Sequence, residues 1–407
     1  MKRRRWAAAG ICLLLAVPIV ACGQQKPDMQ QVAASQGAQA PQAAEVKLPD
    51  YWPTAGWRTS SPEAQGMHSE GIAAAIEAYQ HQNLHSVAIV RNGYMVTEAY
   101  NSVTQPDVPQ DLRSVTKSFT SALTGIALHE NKVTSLEEKL SSYLPQAADG
   151  STKAEIQLGH LLYMASGLDW DNNGEKSTKE MSESPDWIAY ILNTPSRSKP
   201  GTVFHYSNGD AHLMSAVLQK ATGQTLFDYA KPHLFEPMGI NGAQWKQDPQ
   251  GHSIGAWSIQ MTTRDMAKFG YLYLHKGLWD GAQLLPTSWV EESWKERVPQ
   301  KYSDGTQGAY GYYWWMKPLA PEGEGELARY KAYYAAGSEG QRIFVVPGMD
   351  LIVAVTAYNT LNEDMPLGLL TEIVKAVDTK SSLPANEAAT TRLQETVQVF
   401  KSVKDEE

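Results

Sequence analysis

The chain has 407 residues, enough for one large domain or about three small ones. Hydrophobic residues make up 42% and charged residues 19%, which excludes a disordered chain; 35 basic against 44 acidic residues is a poor footprint for wrapping nucleic acid. Its two cysteines, Cys12 and Cys22, leave no room for a disulfide framework or a cysteine-rich zinc site.

Lys2, Arg3, Arg4 and Arg5 precede an apolar stretch running from about Trp6 to Val20. That is the layout of a secretory signal, too short for a comfortable membrane-spanning helix. It closes on Ile19-Val20-Ala21-Cys22-Gly23, which resembles a bacterial lipobox. Residues 1–21 are therefore expected to be a signal peptide, with Cys22 the lipidated new N-terminus. Residues 22–50 are rich in Gln, Ala, Pro and Ser and read as a flexible tether. The protein is then extracytoplasmic, in the cell envelope, and because it is acidic its acyl chains must hold it to the membrane.

The folded part is expected over residues 51–380. Helical spacing marks Ser69–Gln82, and two apolar strands follow, His85–Val90 and Tyr94–Tyr100, joined by the hairpin signal Asn92-Gly93. A long helical pattern starts near Ser114 and runs to about Glu130. Helices dominate from there to about Leu285, and Thr262-Thr263-Arg264-Asp265 is a capping signature for a helix over Met266–Leu274. Strands return late, with Leu327–Tyr334 as one and Gln341–Val346 and Leu351–Ala357 as a hairpin around Pro347-Gly348-Met349-Asp350. Glu363–Val377 reads as a closing helix, and residues 381–407 as a tail in which Ala385–Val403 forms either a weak amphipathic helix or a loose segment. Strands at both ends and helices between them predict one two-lobed α+β domain: an antiparallel sheet built from both chain ends, flanked by helices, with an inserted mostly helical lobe.

Candidate chemistry begins at Arg113-Ser114-Val115-Thr116-Lys117. Ser114 and Lys117 are three apart at a helix start, so both share one face near the positive end of the helix dipole. Serine is a weak nucleophile until a base takes its proton, and a partly desolvated lysine can serve. Ser196-Arg197-Ser198-Lys199 matches the same pattern, but in a loop before Pro200-Gly201 it reads as a solvated turn. Tyr206-Ser207-Asn208 offers a phenol and an amide two residues apart, and Ala335-Ala336-Gly337-Ser338-Glu339-Gly340-Gln341 precedes the late hairpin.

The order Ser-x-x-Lys, Tyr-x-Asn, glycine-rich strand resembles the serine β-lactamase and penicillin-binding superfamily, with its β-lactamase/transpeptidase-like fold. Closest are the class C β-lactamase-like members, including DD-carboxypeptidases, family VIII esterases and 6-aminohexanoate-dimer hydrolases. The resemblance spans about Trp57 to Val377. It implies that Ser114 is acylated and that the acyl-enzyme is cleaved by water. It also implies that Lys117 lowers the pKa of Tyr206 through its charge and that Tyr206 passes the Ser114 proton to the leaving group, either of the two being the base. Asn208 would bond Lys117 and a substrate amide, and the backbone N–H groups of Ser114 and Ser338 would form the oxyanion hole.

One motif departs from the penicillin-recognising pattern. Ala335 and Ala336 stand where a Lys or His and a Thr or Ser help bind the substrate carboxylate in that family, so that role is missing unless Arg342 or another residue fills it. The expectation is thus a serine hydrolase of small amide, ester or peptide substrates, an amidase or esterase before a β-lactamase or DD-carboxypeptidase. A non-catalytic envelope peptide-binding protein of the same fold is the rival reading, against which the intact Ser114, Lys117, Tyr206 and Asn208 set speaks. No His pair has metal-ligand spacing, and no cofactor is called for. Tyr312–Trp315 fit a cleft or the core equally, and Asp169 and Asp171 read as a solvated loop.

Overall fold

The computed structural model describes residues 48–405. The signal, the lipidation site Cys22 and nearly all of the tether lie outside those residues. One large sheet, with a hydrophobic core on each of its faces, organises the described part of the chain.

Helix α1 (Ser69–Tyr79) leads into strands β1 (Leu84–Arg91) and β2 (Tyr94–Tyr100). Asn92 and Gly93 both take positive φ, 51° and 82°, which lets the tight hairpin match the twist of its strands. The chain then forms α2 (Thr116–His129), several short helices, α3 (Asn208–Thr222) and α4 (Thr263–Leu274). Thr262 caps α4, its side chain accepting from the Asp265 N–H at 3.1 Å, a contact worth about 1 kcal/mol. Strands β3 (Val298–Lys301), β4 (Gln307–Tyr310), β5 (Trp315–Pro318), β6 (Lys331–Ala336), β7 (Arg342–Val346) and β8 (Leu351–Ala357) come after it in the chain. Helices α5 (Met365–Lys375) and α6 (Glu387–Phe400) end the fold.

The eight strands form one antiparallel sheet in the order β2-β1-β8-β7-β6-β5-β4-β3, so β1 from the N-terminal side pairs with β8 from the C-terminal side. Both faces are covered, which is why β8 is apolar throughout rather than alternating. Ile352 and Ala354 face the core shared with α4 and the helical lobe, whereas Leu351, Val353 and Val355 face the core under α1 and α5. The fold is therefore α+β, an antiparallel sheet built from both ends with a helical insertion.

The three strands at one end of the sheet, β3 to β5, are four residues each and carry polar residues, Gly or Pro, so they do not read as strands in the sequence. The strand expected at Leu327–Tyr334 begins instead at Lys331, because residues Glu326–Arg329 form a 3-10 turn. Of the two readings open for the tail 381–407, the helix is the one that forms, as α6. Its Leu393, Phe400 and Val403 enter the α1-side core, Arg392 pairs with Glu70 and Glu77 of α1, and Thr396 Oγ1 donates to Glu77 at 2.8 Å. An apolar stripe that is weak in isolation folds once a partner helix supplies the other half of the contact. Among the described residues, no helix is long and apolar enough to cross a membrane.

Helix α2 packs against α3 and, through Phe119 stacked on Phe269, against α4, and every residue from Thr116 to Ala127 is buried. Small side chains make this central position feasible: a Cβ on Gly125 would lie 2.2 Å from the Trp289 ring. Buried hydroxyls fix the helix to its neighbours, with Ser118 Oγ donating to Tyr313 O at 2.7 Å and Thr120 Oγ1 to Gly255 O at 2.8 Å. That rigidity is what positions the site at its N-terminus.

Candidate active site

Ser114 lies in a 3-10 turn (Arg113–Val115) that feeds directly into α2, and Lys117 follows one turn later. Lys117 is 2% exposed, and its Nζ lies 2.9 Å from Ser114 Oγ, 2.7 Å from Asn208 Oδ1 and 2.9 Å from Ala256 O. Two of those three partners, the Asn208 and Ala256 carbonyl oxygens, can only accept. A neutral amine satisfies both with its two N–H bonds and keeps its lone pair for the Ser114 hydroxyl. Burial pulls the Lys117 pKa down to about 7 from 10.5, with the negative charge of Glu175 pulling it part of the way back.

Asn208 is the first residue of α3, placed there because Ser207 caps that helix and accepts from the Asp210 N–H at 3.0 Å. Its Oδ1 faces Lys117 while Nδ2 donates to Thr178 Oγ1 at 2.9 Å, so its orientation is set from both sides. Tyr206 lines the same cavity as Ser114, and the Lys117 Nζ sits 4.9 Å from the centre of its ring. The phenol moves opposite to the expectation that Lys117 lowers it: burial pushes its pKa up to about 12, against the Ser114 hydrogen bond. The reason is that desolvation of the buried phenolate dominates, with Glu175 and Glu363 pushing the same way, and the Arg342 cation offsets only part of it.

Ser338 opens a short turn just after β6, across the same cavity from Ser114. Among the described residues neither Ser114 N–H nor Ser338 N–H has a protein acceptor, so both donors are available. The cavity, about 860 Å³, brings together Ser114, Tyr206, Asn208 and Ser338, with Trp257 and Trp315 as apolar walls. Trp315 stacks on Tyr206 at 6.4 Å between centroids, whereas Trp314 is fully buried in the core.

The other sequence candidates play no such part. Ser196 is exposed and accepts from Thr152 Oγ1 at 2.9 Å, with no part in the cavity. Asp169 and Asp171 pair with Arg197 and Lys176 in the solvated loop. Ala335 is buried and Ala336 lines the cavity without offering a polar group. Arg342 is 6% exposed; Nη1 donates to Gly337 O and Gln341 O, and Nη2 to Glu363 O at 2.7 Å, so its guanidinium braces backbone rather than presenting a free fork.

Sequence reasoning missed Glu175 and Asn172, which a loop brings beside Asn208 and Tyr206; Asn172 Nδ2 donates to Tyr206 O at 2.7 Å. It also missed the Ala256 carbonyl, a main-chain group with no sequence signal. The Ser207-x-x-Asp210 capping pattern was the readable sign that Asn208 starts a helix. Away from the cavity, His212 Nε2 and His252 Nδ1 both lie against Asp248 Oδ2, at 3.0 and 2.9 Å. The Gly255 N–H approaches His212 Nδ1 at 3.4 Å, so that nitrogen accepts and the ring proton sits on Nε2, toward Asp248. The group is a hydrogen-bonded tie between α3 and the following loop.

A family model described as Beta-lactamase matches residues 63–372. The chain belongs to the beta-lactamase family. This family member is similar to the 6-aminohexanoate-dimer hydrolase of Paenarthrobacter ureafaciens, with 20% identity over 71% of this chain and 78% of that one. Among solved structures, its fold is shared with a class C beta-lactamase from Rhodobacter sphaeroides (TM-score 0.59, 17% identity, 75% of this chain and 99% of that one). It is shared too with EstCE1, a hydrolase with promiscuous acyltransferase activity (TM-score 0.62, 14% identity, 75% of this chain and 99% of that one). The beta-lactamase-family assignment makes this chain a member of a family of serine hydrolases.

Proposed function

We propose that this protein is an exported serine hydrolase that cleaves amides or esters through an acyl-enzyme on Ser114. The observation that carries the reading is the buried Lys117 amine, 2.9 Å from Ser114 Oγ, with its other two hydrogen-bond directions taken by acceptors. Lys117 takes the proton as Ser114 Oγ attacks the substrate carbonyl carbon, and the carbonyl oxygen becomes an oxyanion facing the Ser114 and Ser338 N–H groups. As the tetrahedral adduct collapses, Tyr206 gives its proton to the leaving amine or alcohol and recovers one from Lys117. Water then attacks the acyl carbon, its proton passes to the same pair, and Ser114 leaves protonated.

Two features support amides and esters over β-lactams or D-Ala-D-Ala peptides. Ala335 and Ala336 supply neither cation nor hydroxyl, and the Arg342 guanidinium is committed to three backbone carbonyls. The relatives named for a 6-aminohexanoate dimer and for acyl transfer fit the same branch. Location in the envelope through lipidated Cys22 belongs to the same proposal and rests on the sequence signal. A non-catalytic binding role is disfavoured because a base, an acid and two free N–H donors converge on one serine.

The test is a fluorophosphonate probe read by intact mass. One adduct is expected on the unaltered protein and on Ser196→Ala, and none on Ser114→Ala. An unaltered protein that takes no adduct would refute the hydrolase reading, and an adduct that persists on Ser114→Ala would refute the nucleophile.

A further inference from the structure

The two proposed oxyanion donors come from segments more than two hundred residues apart, and each donor has a strained residue for a neighbour. Arg113, directly before Ser114, has φ 49°, and Glu339, directly after Ser338, has φ 62°. Neither is a glycine, and the left-handed region is unfavourable for residues with a Cβ. The two strained residues also bond one another: Arg113 Nε and Nη2 donate to Glu339 Oε2 at 3.0 and 2.8 Å. Asp111 fixes the same arginine from behind, accepting its backbone N–H at 2.9 Å.

The segments also touch through their backbones. A Cβ on Gly337 would lie 2.5 Å from Leu112 O and 2.9 Å from the Arg113 Cβ, so the end of β6 lies directly against the turn that carries Ser114. The approach is that close only because residue 337 has no side chain. Gly337 O, part of the peptide that carries the Ser338 N–H, accepts from Arg342 Nη1. The spacing of the two donors is thus set by a short chain of contacts, and the Arg113–Glu339 pair is the side-chain link in it across the cavity mouth.

We propose that Arg113 and Glu339 are positioning residues, an ion-pair clamp that holds the Ser114 and Ser338 N–H groups at the separation an oxyanion requires. The proposal rests on the acyl-enzyme reading of Ser114. A clamp of this kind acts on the transition state, where charge develops on the carbonyl oxygen, and leaves ground-state binding nearly untouched. Full loss of one oxyanion donor lowers kcat by roughly 100- to 1000-fold; a donor retained but misaligned should lose about 10-fold. The strain at 339 provides a separation of structure from function. Glu339→Gly removes the carboxylate and relieves the backbone at once, so stability should hold or rise while kcat falls.

The experiment is a double-mutant cycle on p-nitrophenyl butyrate hydrolysis with Arg113→Gln, Glu339→Gln, the double variant, and Glu339→Gly, each with a melting curve. Each single change should lower kcat about 10-fold with KM changed less than about two-fold, and the double variant should be little worse than either single one. Glu339→Gly should show the same kcat loss with an undiminished Tm. Multiplicative losses in the double variant would overturn the clamp. So would a rise in KM at constant kcat, which would mean that the pair binds substrate. Activity of Glu339→Gly equal to the unaltered protein would overturn it as well. Failure of the hydrolase reading is separately visible, because the unaltered protein would then neither hydrolyse the ester nor take the fluorophosphonate adduct.

Discussion

If Lys117 is the base, the rate of acylation must follow its neutral fraction, and the structure says where that fraction changes. With a pKa of about 7, set by burial, the amine is about 9% neutral at pH 6 and about 91% neutral at pH 8. The sign follows from the direction of the shift: the cation is disfavoured in the fold, so the active form accumulates as pH rises through about 7. kcat/KM for an ester should climb about 10-fold over that interval and then level, because the Tyr206 phenol stays protonated to about 12. Glu175 gives the decisive perturbation. Its charge raises the Lys117 pKa and lies beside Asn208, so Glu175→Gln, which keeps the shape and the Thr178 contact, should move the midpoint to lower pH. Lys117→Arg should cut the rate by roughly 1000-fold or more, since guanidinium cannot deprotonate and cannot mimic a compact amine that donates twice and accepts once. The assay is p-nitrophenyl butyrate turnover at constant ionic strength, corrected for spontaneous hydrolysis, with fluorophosphonate labelling rates as a second readout. A flat profile between about pH 5.5 and 9, or a midpoint that Glu175→Gln leaves in place, would refute Lys117 as the titrating base.

Gly337→Ala should destabilise the protein by about 1–3 kcal/mol and lower kcat, because its Cβ would press on Leu112 O and Arg113; an unchanged Tm and rate would show that β6 can retreat without cost. Nitrocefin and a D-Ala-D-Ala peptide should be hydrolysed with a kcat/KM well below that of the ester, since each missing charge-assisted hydrogen bond costs about 1.5–3 kcal/mol; efficient nitrocefin turnover with little esterase activity would reverse the branch assignment. Cys22→Ala should move the protein out of the membrane fraction, and a soluble unaltered protein with its signal cut elsewhere would refute the anchor. Lys117 also predicts that stability increases with pH between about 7 and 10.5, where the unfolded chain binds a proton that the folded one rejects; Lys117→Met should flatten that slope in chemical denaturation.

Local patterning made much of the architecture readable. The β1–β2 hairpin followed from Asn92-Gly93 between apolar runs, β8 from an unbroken Leu351–Ala357 run, and α4 from its Thr262 cap, because each depends on backbone preferences and burial that a few adjacent residues express. The same holds for Ser114 and Lys117, which one turn of helix places on one face whatever lies around them. Tyr206, Asn208 and Ser338 were readable only as a motif order, since nothing local says that they approach Ser114. Strands β3 to β5 were hidden by their shortness and their polar, Gly and Pro residues, and the choice between helix and loose tail at α6 was left to its contact with α1. What only the tertiary structure decided are the quantities that depend on many distant atoms at once. Burial from every side lowers the Lys117 pKa and raises that of Tyr206, the Ala256 carbonyl takes the third bond of the amine, and Arg342 is turned to backbone. The Arg113–Glu339 pair belongs with these, because desolvation and close approach are properties of packed space, and a sequence records only the order in which its residues enter it.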